Sequence, residues 1–176
     1  MIRHKVFAGL VLLSLTLLGG CFLVSAQMTI VYKAGDGAGT ASQTVYSYHV
    51  DLNDNDDYEE HHDKIKNVEA FGFDVTITNQ TANTASAEGY ISFSEVVSPS
   101  VENIRTQATR VFSGIPLQPN ETRTITYDDS QRYVERIDVI DEAIREGIVW
   151  FYVITDQGIR ISSTGLTLVM TVNLEA

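Results

Sequence analysis

Apolar and polar residues alternate along much of the chain, and no other sequence feature limits its fold as strongly. The clearest run has apolar side chains at every second position: Phe71, Phe73, Val75 and Ile77. Because successive side chains of a β-strand point to opposite faces, this run predicts a strand with one buried face.

Further segments have strand patterns and are separated by turns rich in Gly, Asn and Pro. They are residues 28–34, 43–52, 90–97, 103–112, 123–127, 148–155, 159–163 and 166–174. Residues 148–155 are apolar at almost every position, so this strand should be covered on both faces. Short strands with frequent turns predict a mainly β fold, an antiparallel β-sandwich of the immunoglobulin-like kind. A sheet covered by a helix on one face is the alternative.

Two segments break the period of two. The apolar positions between residues 129 and 146 recur at helical spacing: Tyr133, Ile137, Ile140 and Ile144. They predict one amphipathic helix, started by Asp129 or Ser130 and ended at Gly147, that serves as a crossover or cap. A short helix is predicted over residues 57–68.

Composition limits the class of protein. The chain has 176 residues, 44% apolar and 20% charged, which fits one globular domain. Its 23 acidic residues against 12 Lys and Arg give a formal charge of -11. Because nucleic-acid binding needs clustered cations, this balance argues against such a partner. The one cysteine excludes an internal disulfide framework and any metal site built on several thiolates.

The first 20 residues have the pattern of a secretory signal, with a positively charged start followed by an apolar run over residues 6–18. The run ends in Leu18-Gly19-Gly20-Cys21, which resembles the lipobox of bacterial lipoproteins. The resemblance implies cleavage before Cys21 and acylation of that cysteine. Residues 21–176 would then form one exported domain, anchored to a membrane of the cell envelope.

Two other interpretations of the N-terminus stay open. Val24-Ser25-Ala26 is a small-residue site for an ordinary signal peptidase, which would make residues 1–26 the signal and the protein secreted. The apolar stretch over residues 6–26 is also just long enough to remain as an uncleaved anchor. In all three interpretations the domain is exported from the cytoplasm.

The densest group of chemically active side chains is the acidic segment, residues 51–63, with seven carboxylates. Oxygen-bearing side chains occupy its alternate positions: Asp51, Asn53, Asn55, Asp57 and Glu59. The register resembles the first half of an EF-hand loop, but Asp56 replaces the turn glycine and His62 the bidentate glutamate. The segment is therefore either a calcium site at those five residues or a solvated loop whose Asp56 or Asp57 caps the short helix.

Other chemistry has little support. Adjacent His61 and His62 would point about 100° apart on a helix, so they are poorly placed to bind one ion together. No Gly-x-Ser-x-Gly motif occurs, and so many carboxylates leave no basis for choosing a catalytic pair. We assign no catalytic residues. The aromatic residues of the most apolar segment, Trp150, Phe151 and Tyr152, are predicted to be core.

The sequence thus predicts a noncatalytic cell-envelope lipoprotein that acts as an interaction or structural module. Its expected partners are a membrane, through the lipid on Cys21, and a protein or glycan. No cofactor is expected, apart from Ca²⁺ if the acidic segment binds it. The alternatives are a calcium-dependent adhesion or carbohydrate-binding domain and a secreted hydrolase with a dispersed site.

Overall fold

A computed structural model describes residues 26–38, 44–155 and 161–175. Within them, eight strands form two antiparallel four-stranded sheets with the main hydrophobic core between them. The strands are β1 (Ala26–Ala38), β2 (Val45–Asp51), β3 (Ile65–Asn79), β4 (Ala85–Ser92), β5 (Thr109–Leu117), β6 (Thr122–Ile125), β7 (Ile148–Thr155) and β8 (Ile161–Leu174). Sheet I has the order β1-β8-β3-β6, and sheet II has the order β2-β7-β4-β5. The predicted antiparallel β-sandwich is confirmed.

The order of the strands within each sheet is information that the sequence pattern did not contain. Every connection between consecutive strands crosses from one sheet to the other, except that β4 and β5 are neighbours in sheet II. Eight strands connected in this way form a jelly roll, whereas the immunoglobulin order has strands ABED in one sheet and CFG in the other. The strands therefore have the jelly-roll order and not the predicted immunoglobulin-like order, because an alternating pattern identifies strands but not their partners.

Most strand predictions agree with the structure to within a few residues. Strand β7 spans the predicted residues 148–155 and is covered on both faces. The predicted strands 159–163 and 166–174 form one strand, β8, interrupted by a bulge, with positions 159 and 160 outside the described residues. Gly165 lies at that bulge with φ 63, a left-handed conformation that glycine adopts without strain. The predicted strand 90–97 is wrong over residues 93–97, because β4 ends at Ser92.

The predicted helix over residues 57–68 is also only partly correct. Helix α1 (Asp56–His61) is followed by a 3-10 turn, and β3 begins at Ile65. Two register shifts lie near the start of β3 and leave its buried residues three positions apart, at Ile65, Val68 and Phe71. Because each bulge inserts one extra residue, a strand here imitates the spacing of a helix.

Residues 103–112, predicted as a strand, contain a helix and then a strand. Helix α2 (Val101–Gln107) begins after Ser100, whose side chain accepts a hydrogen bond from the Asn103 amide. Strand β5 starts at Thr109. The one buried residue of α2 is Ile104, so the helix has too few apolar positions to reveal its period in the sequence.

The predicted helix over residues 129–146 is divided into two. A short helix α3 (Tyr127–Ser130), capped by Thr126, runs into a 3-10 turn, and helix α4 (Ile137–Glu146) follows after a break. Neither Asp129 nor Ser130 starts α4. The predicted end is confirmed, because Gly147 adopts φ 77 and donates its amide to the Ala143 carbonyl.

Helix α4 caps one end of the sandwich and touches strands of both sheets. Its buried side chains are Val139, Ile140, Ala143 and Ile144. The Asp141 carboxylate accepts a 2.7 Å hydrogen bond from the Val68 amide at a bulge of β3. This bond satisfies a strand N–H that the bulge would otherwise leave unpaired.

The described part of the chain contains no helix long and apolar enough to cross a membrane.

Candidate functional site

Two side chains of the acidic segment act as N-caps: Asp51 caps the 3-10 turn Leu52–Asp54, and Asn55 caps α1. Asp51 Oδ1 accepts hydrogen bonds from the backbone amide and side-chain amide of Asn53, at 3.0 and 2.9 Å. Asn55 Oδ1 accepts a 3.0 Å bond from the Tyr58 amide and so caps α1, while Asn55 Nδ2 donates to the Val31 carbonyl of β1. The cap is therefore Asn55 and not Asp56 or Asp57. These two carboxylates and Glu59 lie in the first turn of α1, where the helix dipole favours negative charge.

The structure gives the hydrogen bonds or exposure of all five candidate calcium ligands. Asp51 and Asn55 direct oxygen atoms at backbone amides, and the side chains of Asn53, Asp57 and Glu59 are exposed. Among the described residues, no group of three or more His, Cys, Asp or Glu side chains is placed to hold a metal ion. In this structure the segment supplies helix caps and a charged surface.

Calcium is therefore expected to leave the melting temperature unchanged. A bound ion that prefers the folded state would stabilise it by about 2.7 kcal/mol at a concentration of 100 Kd, several degrees in a chain of this length. The measurement compares melting curves in calcium and in chelator at matched ionic strength, because salt alone screens the carboxylates. A rise in calcium that Asp51→Asn with Asp57→Asn removes would instead establish the site.

Tyr58 fastens the acidic segment to the core. Its side chain is 1% exposed, and its hydroxyl donates a 2.6 Å hydrogen bond to the Ile144 carbonyl near the end of α4. Burial, with smaller effects of the Glu146 and Asp51 charges, raises the pKa of Tyr58, so the hydroxyl stays protonated. The Tyr58 ring stacks on His62 at 5.6 Å between centroids. The acidic segment is thus held against the core, because Tyr58, its one buried aromatic residue, is hydrogen-bonded to α4.

The two histidines make local contacts. The Nδ1 atom of His61 lies 3.1 Å from the Asp57 carbonyl, and that of His62 lies 3.0 Å from the Glu59 carbonyl. Each ring therefore bonds to the backbone of α1. That these two histidines do not bind one ion together stays a prediction.

The outer face of sheet II carries a second hydrophobic cluster. Its buried members come from β4, β7 and the segment between β4 and β5: Tyr90, Val96, Ile104, Tyr152 and Ile154. The Val96 amide donates a 2.8 Å hydrogen bond to the Tyr152 hydroxyl. Of the three aromatic residues predicted as core, Tyr152 is buried here, whereas Trp150 and Phe151 are half-buried.

An ion network beside this cluster holds α2 against sheet II. Glu88 accepts hydrogen bonds from Tyr90, Arg105 and Arg110 at 2.9 to 3.2 Å, and Arg110 also contacts Glu135 at 2.8 Å. Burial raises the pKa of Glu88, but the hydrogen bonds and the two guanidinium charges outweigh it and lower that pKa overall. The network therefore stabilises the fold above the ordinary pKa of glutamate and loses this effect as pH falls through the lowered value.

The segment after β4 displays apolar side chains to solvent, and we call residues 93–97 the exposed edge. Phe93 is 46% exposed and Val97 is 78% exposed, with the charged Glu95 between them. Val96 is buried in the cluster of sheet II, so the backbone of the edge is anchored while its neighbours point outward. The sequence pattern predicted a strand over this region and gave no sign of the edge, although Glu95 and Val96 break the alternation that Ile91 and Phe93 begin.

Comparisons with known proteins add little about function. No family model matches the chain, and no curated protein matches it. Among solved structures, the chain is similar to infectious bursal disease virus, Gx strain, with 7% identity and a TM-score of 0.42 over 84% of this chain and 32% of that one. It is also similar to Mud crab tombus-like virus, with 12% identity and a TM-score of 0.38 over 87% and 82% of the two chains. The chain therefore spans about a third of the first of these structures.

Proposed function

We propose that this protein is a noncatalytic module of the cell envelope, anchored through a lipid on Cys21, that binds a protein partner through the exposed edge. The observation that supports it most directly is the exposure of Phe93 and Val97 on a backbone that Val96 holds in place. A contiguous apolar patch on a protein surface marks an interaction site, and we infer that Phe93 and Val97 form one. Large aromatic residues supply much of the binding energy at such surfaces.

The charges around the edge indicate the chemistry of the partner. Glu95 is exposed between the two apolar side chains, and the whole chain carries a formal charge of -11. A complementary surface would have an apolar pocket for Phe93 or Val97 and basic side chains around it. Such charge matching speeds encounter and excludes acidic competitors.

The interface is tested by placing a photoreactive phenylalanine at position 97 or position 93 in the full chain in its native cell. We expect one discrete protein adduct at both positions and none at position 31, where Val31 is 42% exposed on sheet I. Phe93→Ala should weaken binding of that partner by about 2 kcal/mol, roughly 30-fold in Kd. Glu95→Lys should weaken it further by reversing the central charge.

Two outcomes would contradict the interface. The same adduct at position 31 would mean that labelling follows exposure alone. An adduct whose yield is unaffected by Phe93→Ala and Glu95→Lys would mean that the edge does not carry the binding energy.

Anchoring is tested separately. Changing Cys21 to serine removes the thiol that would be acylated, so the protein should move from the membrane fraction to the soluble fraction. Mass spectrometry of the mature protein should identify a lipid on an N-terminal Cys21. A mature N-terminus at Gln27 would support plain secretion instead, and a Cys21→Ser chain that stays in the membrane would support an uncleaved anchor.

A further inference from the structure

An apolar cavity of about 100 Å³ lies between the two sheets. Its wall includes side chains from both sheets: Phe73, Ile77, Phe112, Ile115, Phe151 and Leu168. Half-buried Tyr48 and Leu166 also border it, so the cavity reaches the surface of the sandwich. Protein interiors are close-packed, and a void larger than a water molecule is uncommon in them.

Water is a poor occupant of this space. A buried water molecule needs two to four polar partners, and the wall of the cavity is mostly hydrocarbon, with Glu88, Tyr46 and Tyr48 as the lining residues that have polar side-chain atoms. Enclosed apolar cavities stay dry and bind small apolar molecules, and the part of this cavity between the sheets has the same kind of wall. The chemistry of the wall therefore favours an uncharged guest.

Of two small residues of β4 beside the cavity, Gly89 and Ala87, only the alanine keeps it open. A Cβ atom on Gly89 would lie 2.6 Å from Phe112 and 3.1 Å from Phe151, so packing of the two rings explains that glycine. Ala87 is different, because it borders the cavity and a longer aliphatic side chain there would extend into empty space. Ala87 thus leaves a volume unfilled that a longer aliphatic side chain would occupy.

The aromatic wall indicates which apolar guest fits. Phe73 and Phe112 meet edge to face at 5.1 Å and 89°, and Phe112 and Phe151 do so at 5.9 Å and 82°. Aromatic rings prefer such contacts, so a guest ring can extend the arrangement. A second void of about 50 Å³ shares Phe112, Phe151 and Leu168 with the first, so a guest that displaced these side chains would have both volumes available. A cavity of about 150 Å³ is large enough for benzene.

We propose that the cavity between the sheets is a binding site for a small, uncharged, single-ring aromatic molecule. Tyr48 lies at its border, 6.4 Å from Phe151 between ring centroids. Its hydroxyl can donate to a polar substituent on the guest ring. The site is separate from the exposed edge and does not depend on the function proposed for that edge.

The test titrates benzene, and in a parallel experiment cyclohexane, into the full protein in the mature form that the cell produces. A protein that carries lipid is measured in nanodiscs, and one without lipid is measured in buffer. Methyl NMR follows Ile77 and Ile115, which border the cavity, and Ile125, a buried core residue that does not. We expect benzene to shift the first two methyl signals saturably through its ring current while Ile125 stays unchanged. Cyclohexane should bind more weakly.

Two cavity-filling variants provide the control. Ala87→Leu and Leu166→Phe each add side-chain volume to the cavity, so either folded variant should lose the saturable shifts, and the second decides the matter if the first does not fold. Shifts at Ile77 and Ile115 that are absent, that never saturate, or that persist in a folded filled variant would overturn the site. Equal affinity for cyclohexane would overturn its aromatic preference.

Discussion

Replacing Ile140 with aspartate should prevent the chain from folding, because the new carboxylate would have to be buried at the end of the core without a partner. Ile140 is 1% exposed on α4 and borders the void of about 50 Å³ near Phe71 and Met170. Burying an isolated carboxylate, or protonating it to remove the charge, costs several kcal/mol, which is comparable to the stability of a typical domain, about 5–15 kcal/mol. The soluble yield and the circular dichroism spectrum of the variant should both report an unfolded chain.

The milder change Ile140→Ala measures the same contact. It removes buried methyl groups and enlarges an existing void, so it should cost about 2–4 kcal/mol of unfolding free energy. Ile137→Ala is the matched control on the same helix, because Ile137 is 41% exposed and its loss should cost about 0.5 kcal/mol or less. Equal effects of the two alanine variants in urea denaturation would contradict the packing of α4 on the sandwich.

The contrast between Ile137 and Ile140 illustrates what the sequence could predict. Both residues belong to the apolar stripe that predicted a helix through Gly147, and that prediction is confirmed over residues 137–146. Periodicity located the helix but not its start, because α4 has no side-chain cap at Arg136 to mark it. The stripe also included Tyr133, which lies in a 3-10 turn before the break.

The errors in the strand predictions have a common physical cause. Local spacing identifies an element only where the backbone is regular, as it is over residues 148–155. At the start of β3 the bulges place Ile65 and Val68 at helical spacing within a strand. Strand partners are set by contacts between distant segments, so the jelly-roll order was not available from local patterns.

The chemistry of the acidic segment depends on the directions of its side chains. Spacing placed oxygen atoms at alternate positions and cannot distinguish atoms that converge on an ion from atoms that accept backbone hydrogen bonds. The structure assigns Asp51 and Asn55 to the second kind. The cavity was similarly invisible, because Ala87 and Phe151 come from different strands and an alternating pattern contains no information about unfilled volume.

Tyr58→Ala should have the second large effect, about 3–5 kcal/mol, because it empties a fully buried aromatic site. Tyr58→Phe keeps the ring and removes only the hydroxyl, which leaves the Ile144 carbonyl unsatisfied and should cost about 1–2 kcal/mol. Glu60→Ala, at an exposed position of the same helix, should change stability by about 0.5 kcal/mol or less. Urea denaturation of the three variants gives the comparison, and a Tyr58→Ala chain as stable as Glu60→Ala would show that the acidic segment is not anchored.

Gly147 provides an independent check of the same contact. A Cβ atom there would lie 2.8 Å from the Tyr58 hydroxyl oxygen, and the φ of 77 adds strain for any other residue. Gly147→Ala should therefore destabilise the fold, and part of that loss should disappear when Tyr58→Phe removes the oxygen. The two changes are expected to be non-additive, with the double variant more stable than the sum of the single effects predicts. Strict additivity would mean that the hydroxyl and the glycine do not meet, and that the strained backbone alone explains the glycine.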